Sequence, residues 1–128
     1  MSDKSVAEKL FIKEGYRILI INEPEGYRRV LGKLPQKIDV STKASGQADL
    51  IQLFVGSRKE LETNLPGLKA ALKPKGLLWA IYPKGTSKAK ADINRDTIGA
   101  YALSIGLQPV AMVSIDETWS ALRLKHSA

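Results

Sequence analysis

Two periods alternate along this chain: short unbroken aliphatic runs, and longer stretches whose apolar residues recur every three or four positions. Strands buried on both faces and amphipathic helices produce these two patterns. Ser5-Val6-Ala7-Glu8 has capping-box spacing, in which a serine and a glutamate three residues later satisfy each other's free backbone N–H groups. A short helix over Ser5 to Phe11 follows. Gly15 breaks it, and Tyr16 to Asn22 predicts a buried strand. Pro24 suits a helical first turn, and Tyr27, Val30 and Leu31 keep helical spacing until Gly32.

Ile38 and Val40 predict a short second strand, and Ala48 to Val55 a long third one. Ser57 and Glu60 repeat the capping-box spacing and open a helix carrying Leu61, Leu65, Leu68 and Leu72. Pro66, which lacks a backbone donor, is expected to kink or split that helix, and Lys75-Gly76 to stop it. Gly76 to Tyr82 predicts a fourth strand. The polar stretch Pro83 to Ala91 has no period; Asp92 is then expected to cap a helix with Ile93, Ile98, Tyr101, Ala102 and Ile105 on its apolar side, ended by Gly106. Leu107 to Ile115 and Thr118 to Leu124 form two last strands, joined too closely for a parallel crossover and therefore antiparallel.

This order predicts an α/β fold: a three-layer, Rossmann-like arrangement around a mostly parallel sheet of about six strands with a C-terminal antiparallel hairpin. No linker, repeat or low-complexity segment divides residues 1–128, so a single domain is expected.

Composition narrows the chemistry. With 44% hydrophobic and 26% charged residues the chain is in the range that folds around a packed core. It has no cysteine, which excludes disulfides, thiolate nucleophiles and thiolate metal sites; no metal is predicted. Met1 to Ser5 shows no apolar signal-peptide core, and the longest aliphatic run, Ile18 to Ile21, is too short to cross a bilayer, so a cytoplasmic location without membrane contact is expected. The net charge of +7 is spread among acidic residues, with no basic run and no aromatic RNA-binding motif. Ordinary solvated faces explain it, and nucleic acid is not an expected partner.

Topology gives a candidate site, because ligands of open α/β sheets bind outside the carboxyl ends of the strands. Asn22, Glu23 and Gly26 follow the first strand; Lys84, Gly85, Thr86 and Ser87 follow the fourth; Asn94 and Arg95 open the next helix. If the penultimate strand runs parallel to the others, Asp116 arrives at the same end with Trp119 beside it. A Gly/Thr/Ser/Lys loop feeding a helix N-terminus suits an anionic small molecule, since free N–H groups and the helix dipole favour negative charge. A solvated surface loop is the plainer reading. Asn94 and Arg95 could instead satisfy Asp116 or Glu117, and Trp119 could serve the core. His126 falls in the C-terminal tail and is expected to be frayed and solvated.

Ala7-Glu8-Lys9-Leu10 with Gly15, Ile18 to Ile21, Ala48-Asp49-Leu50-Ile51 and Leu72-Lys73-Pro74-Lys75-Gly76-Leu77-Leu78 resemble the scaffold of class I S-adenosylmethionine-dependent methyltransferases, over most of the chain. The pieces Asn22 to Tyr27, Tyr82 to Ser87, Asp92 to Asp96 and Asp116 to Arg123 resemble a family of small bacterial proteins grouped as a domain of unknown function, which implies a shared fold and site but supplies no activity.

The chain departs from methyltransferases at the cofactor positions. Those enzymes place a glycine-rich turn after the first strand, where this chain has Asn22-Glu23-Pro24-Glu25-Gly26, and a ribose-binding carboxylate at the end of the second, where Ser41 and Thr42 follow Asp39 and Val40. A strand and helix before Asp49 are also missing. No cofactor is therefore predicted, and S-adenosylmethionine binding of the usual kind is disfavoured. Three functions remain: a noncatalytic domain binding an anionic ligand, which ranks first; a methyltransferase-like enzyme with Glu23 and Asp116 in acid–base roles; and an interaction module, for which a homodimer is one form.

Overall fold

A computed structural model describes residues 5–43, 46–84 and 93–127. Its elements, in chain order, are α1 (Val6–Lys9), β1 (Arg17–Ile21), α2 (Tyr27–Leu31), β2 (Asp39–Ser41), β3 (Ala48–Phe54), α3 (Arg58–Ala71), β4 (Leu72–Pro83), α4 (Arg95–Ser104), β5 (Leu107–Ser114) and β6 (Trp119–His126). They form one six-stranded sheet in the order β2-β1-β3-β4-β6-β5. The first four strands are parallel, and β6 runs antiparallel to both β4 and β5. Consequently β5 is again parallel to β1 to β4, and its carboxyl end reaches the same edge as theirs.

Strand alternation splits the core into two layers. Leu19, Ile21, Leu53, Ala80 and Tyr82 pack beneath Leu61, Leu65 and Leu68 of α3 and Ile98 and Ala102 of α4. Ile18, Ile20, Leu50, Phe54, Trp79 and Ile81 pack on the opposite face with Val6 and Ala7 of α1 and Tyr27 and Leu31 of α2. Each fully buried leucine or isoleucine contributes about 1.5–3 kcal/mol relative to exposure, so these runs dominate the stability.

The caps follow the predicted chemistry with two differences. Ser5 and Glu8 form the complete box on α1. Ser57 accepts from the Glu60 N–H, but the Glu60 carboxylate takes the Gly56 N–H at 2.7 Å instead of closing the box. Asn94, rather than Asp92, caps α4, its side chain accepting from the Thr97 N–H at 2.9 Å; Asp92 lies outside the described residues.

Pro66 does not split α3, which runs unbroken from Arg58 to Ala71. Pro66 and Gly67 sit on its exposed side, where water can satisfy the carbonyl that the proline leaves free. The helix also ends earlier than Lys75, at Ala71, and β4 starts directly at Leu72. Pro74 is the reason: the residue before a proline is pushed out of helical backbone, so Lys73 must already be extended.

Asp49 ties the amino end of the sheet together. Its carboxylate accepts the Arg17 backbone N–H at 2.8 Å and pairs with the Lys73 ammonium at 3.0 Å. Burial alone would raise its pKa, but the Arg17 N–H and Lys73 outweigh it and hold the carboxyl below its ordinary value of 3.8. A depressed folded-state value means that the stabilisation is complete above the unfolded pKa and is lost as pH falls through the folded one. Denaturation midpoints measured across the region below about pH 4 should therefore fall less steeply for Asp49→Asn than for the wild type.

Candidate functional site

The chain leaves β1 for β2 on one side and leaves β3 for β4 on the other, which opens a crevice at the carboxyl ends of β1 and β3. Asn22, the first residue past β1, has left-handed backbone (φ 59°), and its Nδ2 donates to the Phe54 carbonyl at the end of β3 at 3.3 Å. Gly26 ends the turn at φ 83°, and a Cβ there would meet nothing within 4 Å. The backbone is therefore bare on its open side. Glu23 is held by the Arg28 guanidinium through two contacts of 2.7 and 3.2 Å.

Tyr27 opens α2 from a buried position and donates its hydroxyl to Oε1 of Gln52, itself fully buried in the middle of β3. The Gln52 Nε2 has no partner among the described residues. Burial, reinforced by the charges of Glu23 and Asp116 and opposed by Arg28, pushes the Tyr27 phenol far above its ordinary pKa and keeps it a donor. The Tyr27 ring meets Phe54 edge-on at 4.6 Å, and Phe54 meets Trp119 edge-on at 5.3 Å. Asp116 Oδ1 accepts the Thr118 and Trp119 N–H groups, both at 2.8 Å, and so fixes the turn between β5 and β6. Lys84 adjoins that turn, its N–H donating to the Thr118 carbonyl at 2.8 Å and its Nζ to Ser114 Oγ at 2.6 Å.

Among the residues predicted from the sequence, Asn22, Glu23, Gly26, Asp116 and Trp119 come together around Tyr27 and Phe54, with Lys84 beside them. Asn94 and Arg95 do not join them. They line a separate 260 Å3 cleft with Tyr82, Asp96 and Met112. Tyr82 belongs to the core layer under α3 and α4, whereas Tyr27, Phe54 and Trp119 belong to the other layer, so the sheet stands between the two groups. Arg95 faces Asp96 at 3.7 Å, and among the described residues no ion pair joins it to Asp116 or Glu117. Gly85, Thr86 and Ser87 lie outside the described residues.

Further openings flank the sheet. At the carboxyl edge, Ile21, Thr42, Lys43, Thr63 and Asn64 line a 360 Å3 cleft on the α3 side. At the opposite edge, His126 with Lys69, Pro66, Pro74 and Ile105 lines a 690 Å3 cleft. His126 is not a frayed tail residue: it pairs with Leu107 as the last residue of β6, and its Nε2 lies 3.0 Å from the Leu72 carbonyl. Tyr27 and Gln52 were absent from the predicted site, although a single glutamine inside the run Leu50 to Val55 is itself a signal, because a buried amide requires partners. Among the described residues no group of three candidate ligands could hold a metal, and no helix is long and apolar enough to cross a membrane.

The sheet order, with one antiparallel strand inserted next to the far edge, and the crevice between β1 and β3 define a Rossmann-like fold of the class I methyltransferase type. Ribosomal protein L11 methylase from Lactobacillus delbrueckii subsp. bulgaricus superposes with a TM-score of 0.64 at 12% identity, covering 96% of this chain and 76% of that one. A TehB-like SAM-dependent methyltransferase from Corynebacterium glutamicum gives 0.61 at 14% identity over 98% and 89%. DhpI, in its SAH complex, gives 0.65 at 8% identity over 96% and 82%. No family model matches the chain, and no curated protein matches it.

Proposed function

We propose that this chain is a methyltransferase-type domain that binds an S-adenosyl ligand in the crevice between β1 and β3. The observation that carries this reading is the bare turn at Gly26, set at the switch point of a sheet whose solved neighbours include methyltransferases and a protein in complex with SAH. The chain leaves room for such a ligand at this turn, where a Cβ on Gly26 would meet no atom within 4 Å, and Asn22 holds the turn to β3. It fits less well at the end of β2, where the hydroxyl of Thr42 stands in place of a ribose-binding carboxylate. When bound, S-adenosylmethionine supplies an electrophilic methyl group; this chain's contribution is to bind and orient it.

Calorimetric titration with S-adenosylhomocysteine tests the reading. The wild type should bind with one-to-one stoichiometry, and Gly26→Val should weaken binding at least about tenfold, a loss of about 1.4 kcal/mol, while keeping its far-ultraviolet circular dichroism. Binding that is indifferent to Gly26→Val would count against it.

A noncatalytic ligand-binding role has its own support. Glu23 is engaged by Arg28, and Asp116 by two backbone N–H groups, so neither candidate acid–base group stands free for proton transfer. On this second reading the adenosyl ligand or a small anion binds without turnover, and Lys84→Ala weakens phosphate binding.

A further inference from the structure

On the α1 side of the sheet, away from the crevice, three unusual features meet at one point. Phe11 is 43% exposed, although it is one of the largest apolar side chains in the molecule. It also has left-handed backbone, φ 63°, at the C-terminal end of α1, where its N–H donates to the Glu8 carbonyl and the Ile12 N–H to the Ala7 carbonyl. That position favours glycine, so a phenylalanine there carries a backbone cost. Finally, the half-buried Arg123 has a buried Nε without a hydrogen-bond partner among the described residues, and its guanidinium carbon lies 5.7 Å from the centroid of the Phe11 ring. Phe11 in turn stacks on Trp79 at 6.3 Å.

Neighbouring cations complete the surface. Leu122 and Leu124 point into the α3 side of the core, so Arg123 and Lys125 share the opposite face of β6, with Lys125 exposed. Lys13, two residues past Phe11, is exposed as well. Strand alternation thus gathers charges that are dispersed in the sequence. A half-buried guanidinium without an acceptor calls for an anion, and an exposed ring beside it calls for a planar partner. This spot is an open face of the sheet rather than a cavity, which suits a chain laid across it better than a small molecule enclosed by it.

We propose that this face binds single-stranded nucleic acid, with a base stacked on Phe11 and backbone phosphates held by Arg123 and Lys125. The site is independent of the adenosyl crevice. Fluorescence anisotropy with a short labelled oligouridylate, measured over a range of salt concentrations, tests it. The wild type should bind at low salt, and Phe11→Ala should raise Kd roughly tenfold. Arg123→Gln and Lys125→Gln should each reduce the slope of log affinity against log salt by about one. Because Lys125 is exposed, that variant separates binding from folding, and Arg58→Gln, on the far side in α3, should bind as the wild type does. No binding by the wild type at low salt, unchanged binding by both Arg123→Gln and Lys125→Gln, or equal affinity for duplex would each overturn the proposal.

Discussion

Trp79→Ala is expected to lower the unfolding free energy by about 3–5 kcal/mol, the range for removing a fully buried aromatic ring. Trp79 is wholly buried in β4, between Gln52 of β3 and Arg123 of β6, and its Nε1–H donates to the Leu10 carbonyl at 3.0 Å. Two losses therefore combine: a cavity opens at the centre of the layer beneath α1, and the Leu10 carbonyl loses its partner. Denaturant unfolding should show a lower midpoint with little change in slope. Because the indole also supports Phe11, the variant should lose order at α1 before the rest of the sheet, which amide exchange would detect.

Tyr27→Phe should cost about 1–3 kcal/mol, more than its single lost hydrogen bond suggests. Removing the hydroxyl leaves Gln52, fully buried and already unpaired at Nε2, without a partner at Oε1 as well. The remaining amide then bears its desolvation without compensation. Gln52→Leu in the Tyr27→Phe background should recover part of the loss, because an apolar pair leaves nothing unsatisfied. A double-mutant cycle in urea measures the coupling; additive effects would show that the hydroxyl and the amide act separately. This pair anchors α2 to β3 directly beneath the bare turn, so stability and ligand binding should decline together in Tyr27→Phe.

Much of the fold was legible in the sequence, for identifiable reasons. Ile18 to Ile21 and Leu50 to Val55 could only be strands covered on both faces, and the short link after Ile115 required an antiparallel partner. α3 ends at Ala71 and not at Lys75-Gly76, because the restriction that Pro74 imposes on its predecessor is a stronger stop than a glycine. His126 read as tail because its pairing depends on Leu107, a contact made through tertiary structure and not through neighbours in the chain.

The candidate site was legible by edge but not by face. Topology places Asn22, Glu23, Asp116 and Trp119 at the carboxyl ends, yet whether a residue past a strand turns toward α2 or toward α4 depends on register. Asn94 and Arg95 were therefore grouped with residues from which the sheet separates them. Fold and cofactor positions diverge for a similar reason. The missing glycines and carboxylate argued against a methyltransferase ligand, whereas strand order, which no motif encodes, matches solved methyltransferases along nearly the whole chain.

Amide chemical shifts followed while S-adenosylhomocysteine is titrated into the isotope-labelled wild type provide the sharpest check. Binding in the crevice predicts saturable shifts concentrated at Asn22 to Tyr27, with smaller ones at Gly56 and Ser57 just beyond β3. Shifts confined to the cleft around His126, or no shifts at millimolar ligand, would contradict it.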